Sequence, residues 1–266
     1  METLDILGYI AAVIAGIIMG LIGGGGSILS VPILVYLLGL NPIVATAYSL
    51  FIVGATSTIG AIKSLKNGLV DFKSAIIFAI PSILGVYLTR RYLVPILPDV
   101  MFSMGSFDIT SGIFVMLVFA IVILLASISM ITKKAKSDDN DADGFDYNAF
   151  SVLTLGLATG IISGFVGAGG GFLNIPVLVF FVRLPMKKAI GTSLFIISIK
   201  SLIGFLGDIG QIPIDWFFLL KFTALSIIGI ILGLYFSKFI DGRKLKKGFG
   251  YFTLIMGAYI IWKELF

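Results

Sequence analysis

The chain has 266 residues, of which 58% are hydrophobic and 12% are charged, and its mean hydropathy is +1.12. Soluble domains carry about 25% charged residues, so this composition is typical of a membrane protein. The chain contains neither cysteine nor histidine, which excludes disulfides, thiol relays, Cys/His metal sites and Ser-His-Asp catalysis.

Ten hydrophobic segments follow one another along the chain. Several are close to the length of about 20 residues that a membrane helix needs, and none shows the alternation of a membrane β-strand. The sequence therefore predicts an all-α polytopic membrane protein of 8–10 segments, some of them short, broken or re-entrant. The segments lie at roughly 6–22, 30–40, 43–62, 74–94, 107–131, 149–166, 174–184, 187–206, 216–237 and 248–265.

The first segment is preceded by acidic residues, Glu2 and Asp5, where a signal peptide would carry Lys or Arg. We therefore expect it to be retained as a membrane segment.

The second and seventh segments each follow a glycine-rich stretch. These stretches are GLIGGGGSILSVP at Gly20–Pro32 and GFVGAGGGFLNIP at Gly164–Pro176. The segment after each would be only about 16 Å long as a helix, which is half a membrane. Ser30 and Asn174 are preferred N-cap residues two positions before a proline, so we expect the short helices to begin there.

The glycine-rich stretches belong to an internal repeat. With an offset of 144 residues, 16–72 aligns without gaps to 160–216, and 21 of 57 positions are identical. The identities include aligned Gly, Pro, Ser and Asp, which apolar bias alone does not produce. Each half has an odd number of crossings, so the second repeat is predicted to be inverted, an arrangement typical of secondary transporters. A parallel repeat is the alternative.

Lysine and arginine positions predict the orientation of the segments. The loops after segments three, five, seven and nine hold 14 basic residues, whereas the opposite side holds Arg90, Arg91 and Lys263. By the positive-inside rule the 14-residue side is cytoplasmic and both termini are outside. The expected units are a first membrane repeat at 1–131, a cytoplasmic acidic linker at 132–148 and a second membrane repeat at 149–266.

The glycine stretches have two interpretations. Helix N-termini that meet near the midplane would present N–H groups to an anion. Alternatively, the glycines only allow helices to pack closely. Lys200 lies inside the eighth segment, where it either snorkels outward or adds positive charge to a substrate path. The candidate substrate-binding residues are Gly23, Gly24, Gly25, Gly26, Ser27, Ser49, Gly167, Gly169, Gly170, Gly171, Thr192, Ser193 and Lys200.

The chain resembles the sulfite exporter TauE/SafE family. The resemblance lies in the two glycine-rich stretches, in GTSLFIISIKSLIGFLGDIG at Gly191–Gly210 and in NGLVD at Asn67–Asp71. It implies transport of small sulfur-containing anions, such as sulfite or organosulfonates, across the cytoplasmic membrane, often outward. The family pattern implies an asparagine where this chain has Lys200.

We therefore expect a membrane transporter that works by alternating access around the glycine breaks. An anion channel and an uptake transporter for another small anion are the alternatives, and an intramembrane enzyme is disfavoured because the spans lack a nucleophile–base pair. The expected partners are the anion and the lipid bilayer, with no nucleic acid, no resident cofactor and no metal.

Overall fold

A computed structural model describes residues 3–22, 27–104, 107–132, 149–237, 239 and 242–265. Each of the ten predicted segments contains a helix, so the predicted all-α architecture is confirmed. The 16-residue stretch at 133–148, most of the predicted linker, lies outside the described residues. The helices are α1 (Thr3–Ile22), α2 (Ser27–Pro32), α3 (Pro42–Lys66), α4 (Phe72–Leu88), α5 (Val94–Ile96), α6 (Ser111–Thr132), α7 (Ala149–Val166), α8 (Gly171–Phe180), α9 (Met186–Asp208), α10 (Trp216–Phe236) and α11 (Gly242–Leu265).

Five helical stretches of the described chain are long and apolar enough to cross a membrane. They are Pro42–Lys66, Phe72–Ile96, Ser111–Thr132, Met186–Asp208 and Trp216–Phe236. The second of these joins α4 to α5 through a π-helical turn, Thr89–Leu93. The polypeptide is thus a multi-pass membrane protein. Four shorter apolar helices flank the two glycine-rich stretches: Leu7–Ile22, Ser27–Leu37, Phe150–Val166 and Gly171–Phe180.

The fifth predicted segment begins too early, because a β-hairpin precedes its helix. β1 (Val100–Met104) pairs antiparallel with β2 (Phe107–Thr110). The Thr110 hydroxyl then accepts a hydrogen bond of 3.3 Å from the Ile113 N–H. This capping bond satisfies a donor of the first helical turn, so α6 begins at Ser111.

The short helices begin three residues earlier than predicted, so the predicted start at Ser30 and Asn174 is wrong. α2 begins at Ser27 and α8 at Gly171. Gly170 caps α8 in the left-handed conformation, and the Asn174 N–H donates to the Gly170 carbonyl at 2.9 Å. Glycine adopts this conformation without a Cβ penalty, so the helix starts directly after the turn.

Two aspartates begin equivalent helices of the two halves. Asp71 accepts from the Ser74 N–H at the start of α4, and Asp215 accepts from the Phe218 N–H at the start of α10. The backbone N–H of each aspartate is also bound by a side chain from the other half. The Asp71 N–H donates to the Thr192 hydroxyl, and the Asp215 N–H donates to the Tyr48 hydroxyl. We call these two hydrogen bonds between the halves latches. Tyr48 and Thr192 are related by the 144-residue offset, so the two latches are equivalent.

Glycines allow α1 to pack on α10 and α7 to pack on α4. A Cβ at Gly16 would overlap the Ser226 carbonyl oxygen, and a Cβ at Gly160 would overlap the Ser82 carbonyl oxygen. These four residues form two pairs that the same 144-residue offset relates. The repeat therefore extends past residue 72 into α4, where the sequence comparison alone did not follow it.

The equivalent helices α3 and α9 pack against each other at the centre of the molecule. Gly60, near the end of α3, lies beside Leu194, near the start of α9. Gly204, near the end of α9, lies beside Leu50, near the start of α3. The two helices therefore run antiparallel.

The helices on either side of each glycine-rich stretch form a hairpin in which they lie side by side. A Cβ at Gly8 of α1 would contact Leu38, so the chain after α2 returns alongside α1. In the second half, Val152 of α7 shares a buried cluster with Leu178, near the end of α8, and with Val182, just after it. In each hairpin, the end of the second helix lies beside the start of the first.

Candidate functional site

The second glycine stretch forms a turn between the two central helices. Gly167, Gly169 and Gly170 all have positive φ angles, of 71°, 63° and 68°. A Cβ at Gly167 would overlap the Thr46 backbone of α3, and a Cβ at Gly169 would lie 2.6 Å from Val53 Cγ1. This turn therefore contacts the first half of the chain through α3. Close packing is one function of its glycines.

Lys200 ends at the same turn. Its side chain is fully buried, and a Cβ at Gly170 would lie 2.8 Å from Lys200 Nζ. The ammonium donates to Asn174 Oδ1 at 3.2 Å and to Ser82 Oγ at 3.3 Å. An ammonium has three donors, so one remains beyond these two bonds. Both acceptors are neutral, and among the described residues Lys200 forms no ion pair.

Further polar atoms surround the lysine without partners of their own. In the described part of the chain, Asn174 Nδ2, Ser163 Oγ and Ser201 Oγ have no hydrogen-bond partner. Ser163 Oγ would lie 3.2 Å from a Cβ at Gly170, and Ser201 Oγ would lie 2.9 Å from one at Gly169. We name the group formed by Ser82, Ser163, Asn174, Lys200 and Ser201 the Lys200 cluster. A buried donor without a partner costs about 1–3 kcal/mol, and an oxyanion could satisfy several such donors.

Two serines predicted from the sequence occupy equivalent positions on the central helices. Ser49 lies on the same face of α3 as Thr46 and Val53, which contact the second glycine turn. Ser193 is its counterpart on α9. Both side chains are buried, and neither hydroxyl has a partner among the described residues. Ser49 is therefore near the Lys200 cluster.

Thr192 lies outside the Lys200 cluster. The Thr192 hydroxyl accepts from the Asp71 N–H at 2.9 Å, at the start of α4. It is eight residues before Lys200, which is about 12 Å along a helix. Ser27 is buried at the start of α2. Gly23, Gly24, Gly25 and Gly26 lie outside the described residues.

The flanks of the two glycine stretches meet in one buried apolar cluster. Ile22, at the end of α1, and Ile28, in α2, share this cluster with Val166, at the end of α7, and Phe172, in α8. The ends of α1 and α7 therefore pack with α2 and α8 in one cluster inside the protein.

The first half lacks a second copy of the Lys200 cluster. At the equivalent positions the chain has Ser226, Met19, Ser30, Thr56 and Ser57. Ser57 donates to Met19 Sδ at 3.7 Å, and Ser226 donates to the Ala12 carbonyl at 3.3 Å. The positive charge is thus confined to one of two pseudo-equivalent sites.

Sequence reasoning missed Ser82 and Ser163 and assigned Asn174 only a capping role. Ser82 lies on α4, beyond the aligned repeat, and Ser163 replaces the Met19 of the first half. That replacement of an apolar residue by a polar one was a signal available in the sequence. Among the described residues, no three Asp, Glu, His or Cys side chains are grouped so that they could hold a metal ion.

The sequence profile described as "Sulfite exporter TauE/SafE" matches residues 8–260 of the chain. The chain belongs to the sulfite exporter TauE/SafE family. It is therefore a membrane transporter of this family.

Relatives of this TauE/SafE protein carry cautious names. A protein of Xylella fastidiosa (strain 9a5c), named "Probable membrane transporter protein", is 30% identical over 255 residues, which cover 94% of this chain and 92% of the relative. "Probable membrane transporter protein YunE" of Bacillus subtilis (strain 168) is 26% identical over 275 residues, covering 97% of each chain. No solved structure matches this TauE/SafE chain.

Proposed function

We propose that the protein carries a small sulfur-containing anion, such as sulfite or an organosulfonate, out of the cell, and that the anion binds at the Lys200 cluster. The observation that carries the proposal is the Lys200 ammonium. It is fully buried, bonded only to neutral oxygens and in contact with the glycine turn. A cation within a membrane span costs about 2.5–3.5 kcal/mol on insertion scales, so a fold that retains one needs a compensating partner.

The chemistry of the cluster favours an oxyanion over a cation or an apolar solute. Lys200 has a remaining donor, and the Asn174 amide nitrogen and the Ser163 and Ser201 hydroxyls have donors to give. Sulfite and sulfonates carry three oxygens on one sulfur, so a single ion can accept from several of these groups at once. The start of α8 after Gly170 has no side-chain cap, and it adds a partial positive charge from the helix dipole.

The packing of equivalent helices supports inverted repeats and alternating access. α3 and α9 are related by the 144-residue offset and run antiparallel, as expected for a pseudo-two-fold axis in the membrane plane. The latches at Asp71 and Asp215 join each half to the other. In the proposed motion, the hairpin of each half rocks against the opposite central helix and opens the cluster to one side at a time.

The proposed orientation places both termini outside and the basic loops in the cytoplasm. An inside-negative potential then favours outward movement of an anion by about 2.3 kcal/mol per charge per 100 mV. Export therefore needs no coupling ion.

Flux from proteoliposomes loaded with sulfite, sulfate, thiosulfate or methanesulfonate tests this proposal. We expect saturable efflux of sulfite or the sulfonate that rises when the potential favours anion exit. Absence of flux for every sulfur anion would refute the substrate class. Single-channel currents in a planar bilayer would refute alternating access, because a transporter moves ions far more slowly than a channel.

A further inference from the structure

Two buried charges form an ion pair at the end of α9. Arg90 Nη1 and Asp208 Oδ1 are 3.5 Å apart, and the two side chains are 0% and 4% exposed. Arg90 lies in the π-helical turn that follows α4, and Asp208 is the last residue of α9.

This pair leaves most of the arginine unsatisfied. Arginine and a carboxylate commonly form two parallel hydrogen bonds, whereas Arg90 donates only one, through Nη1. Arg90 Nε, Arg90 Nη2 and Asp208 Oδ2 have no partner among the described residues. Removing two charges from water is costly, and a single long contact recovers little of that cost. The guanidinium therefore retains the capacity to bind a second oxyanion.

The pair lies further along α9 than the Lys200 cluster, on the same face of the helix. Lys200, Gly204 and Asp208 follow one another at intervals of four residues, so they share one face of α9. Asp208 is about 12 Å from Lys200 along the helix axis. On α4 and its continuation, Ser82 of the cluster is followed by Thr89, whose buried hydroxyl also has no partner among the described residues. Polar groups thus continue from the cluster to Arg90.

The internal repeat does not account for this pair. The positions equivalent to Arg90 and Asp208 are Leu234 and Ser64. The equivalent pair of positions therefore carries no charge.

We propose that the Arg90 guanidinium is a second binding site for the transported anion, on the outer side of the Lys200 cluster, and that the Asp208 carboxylate holds this site in the present conformation. The anion leaves Lys200, displaces the carboxylate from Arg90 and then exits beside the end of α9. The Asp208 carboxylate competes with the anion for Arg90, and it closes the route when no anion is bound to Arg90. This inference rests on the proposed transport of a small oxyanion.

Cysteine accessibility tests the proposal without measuring transport. The chain contains no cysteine, so Thr89→Cys introduces one thiol without background. The probes are two membrane-impermeant thiosulfonates, anionic sulfonatoethyl and cationic trimethylammonioethyl methanethiosulfonate. Their ratio of modification rates reports the charge that an entering anion meets beside Arg90.

Asp208→Asn is expected to raise the anionic-to-cationic rate ratio at Thr89→Cys about tenfold, because it frees the guanidinium. Adding Arg90→Gln to Asp208→Asn is the matched control, and it should return the ratio to its starting value while the route stays open. An unchanged ratio in the Asp208→Asn variant would overturn the proposal. So would a chain that aggregates with Asp208→Asn but folds with both substitutions, because the carboxylate would then serve only to neutralise Arg90.

The labelling and flux results separate this inference from the proposed function. A shifted ratio with no flux of any sulfur anion would refute the proposed substrate and retain Arg90 as an anion site. Normal sulfite flux with an unchanged ratio would do the reverse.

Discussion

The Asn174 side chain supplies one of the two oxygens that accept hydrogen bonds from the Lys200 ammonium. Asn174 Oδ1 lies 3.2 Å from Lys200 Nζ and is neutral. A carboxylate oxygen in its place would form an ion pair with the lysine. The lysine would then not be available to pair with the proposed anion. The proposed preference of the cluster for an anion therefore depends on the amide as much as on the lysine.

Asn174→Asp is expected to abolish anion flux while the protein stays folded, because the new carboxylate pairs with Lys200. Asn174→Ser is the control, since it keeps a neutral oxygen and matches Ser30 of the first half. Tracer efflux and size-exclusion chromatography measure the two effects. Equal flux in both variants would show that the anion does not meet Lys200.

Gly170 tests whether the turn must approach the lysine closely. Gly170→Ala adds a Cβ 2.8 Å from Lys200 Nζ at a φ of 68°. Gly39→Ala has the same φ and nothing within 4 Å, so it carries only the backbone strain of about 1–2 kcal/mol. We expect both to lower the melting temperature but only Gly170→Ala to reduce flux, by about tenfold. Equal loss of flux in the two variants would contradict a role for this contact.

At the scale of elements, α1 and α10 are held together by backbone contact at glycines. A Cβ at Gly229 would overlap the Val13 carbonyl oxygen. Small residues at such an interface replace the hydrophobic driving force that lipid does not supply. The α7–α4 pair repeats this arrangement in the second half.

Gly229→Ala is expected to destabilise the protein by about 1–3 kcal/mol, since the helices must separate to admit the methyl group. Gly248→Ala in α11 is the control, because nothing lies within 4 Å of the added atom. Thermal unfolding in detergent measures both. A melting temperature for Gly229→Ala equal to that of Gly248→Ala would contradict tight packing of α1 on α10.

The sequence predicted most elements but few of their contacts. Ten hydrophobic segments were recognised because burial in lipid requires long apolar helices, and Lys200 was selected because a charge there is unusual. The start of α8 was misplaced because the left-handed turn at Gly167, Gly169 and Gly170 ends only at Gly171. Ser82 and Ser163 could not be joined to Lys200, because periodicity does not say which helices meet.

At the scale of the whole molecule, the two halves are related by the offset of 144 residues in sequence, in caps, in latches and in glycine contacts. The proposed inversion gives this relation a functional meaning, since an inverted pair can exchange inward-open and outward-open states. The charge at Lys200, which the first half lacks, then distinguishes the proposed anion site from its pseudo-equivalent position.

Asn67 and Gln211 test the inversion directly. They are equivalent, exposed residues in the loops after α3 and α9. In intact cells, an impermeant maleimide is expected to label Gln211→Cys and not Asn67→Cys, because inversion places the two loops on opposite sides. Permeabilised cells give the control for reactivity. Labelling of both from the same side would establish a parallel repeat.

The most direct test of the proposed anion site at Lys200 compares two lysines that lie within membrane helices. Lys200 belongs to the cluster, whereas the Lys221 ammonium lies 4.2 Å from the centre of the Tyr9 ring. Sulfite efflux from proteoliposomes should fall about tenfold or more in Lys200→Met, since a buried charge that pairs with the anion is lost, and should stay near the starting rate in Lys221→Met. Folded Lys200→Met protein that exports sulfite as fast as the unaltered chain would contradict the assignment of the anion site to Lys200.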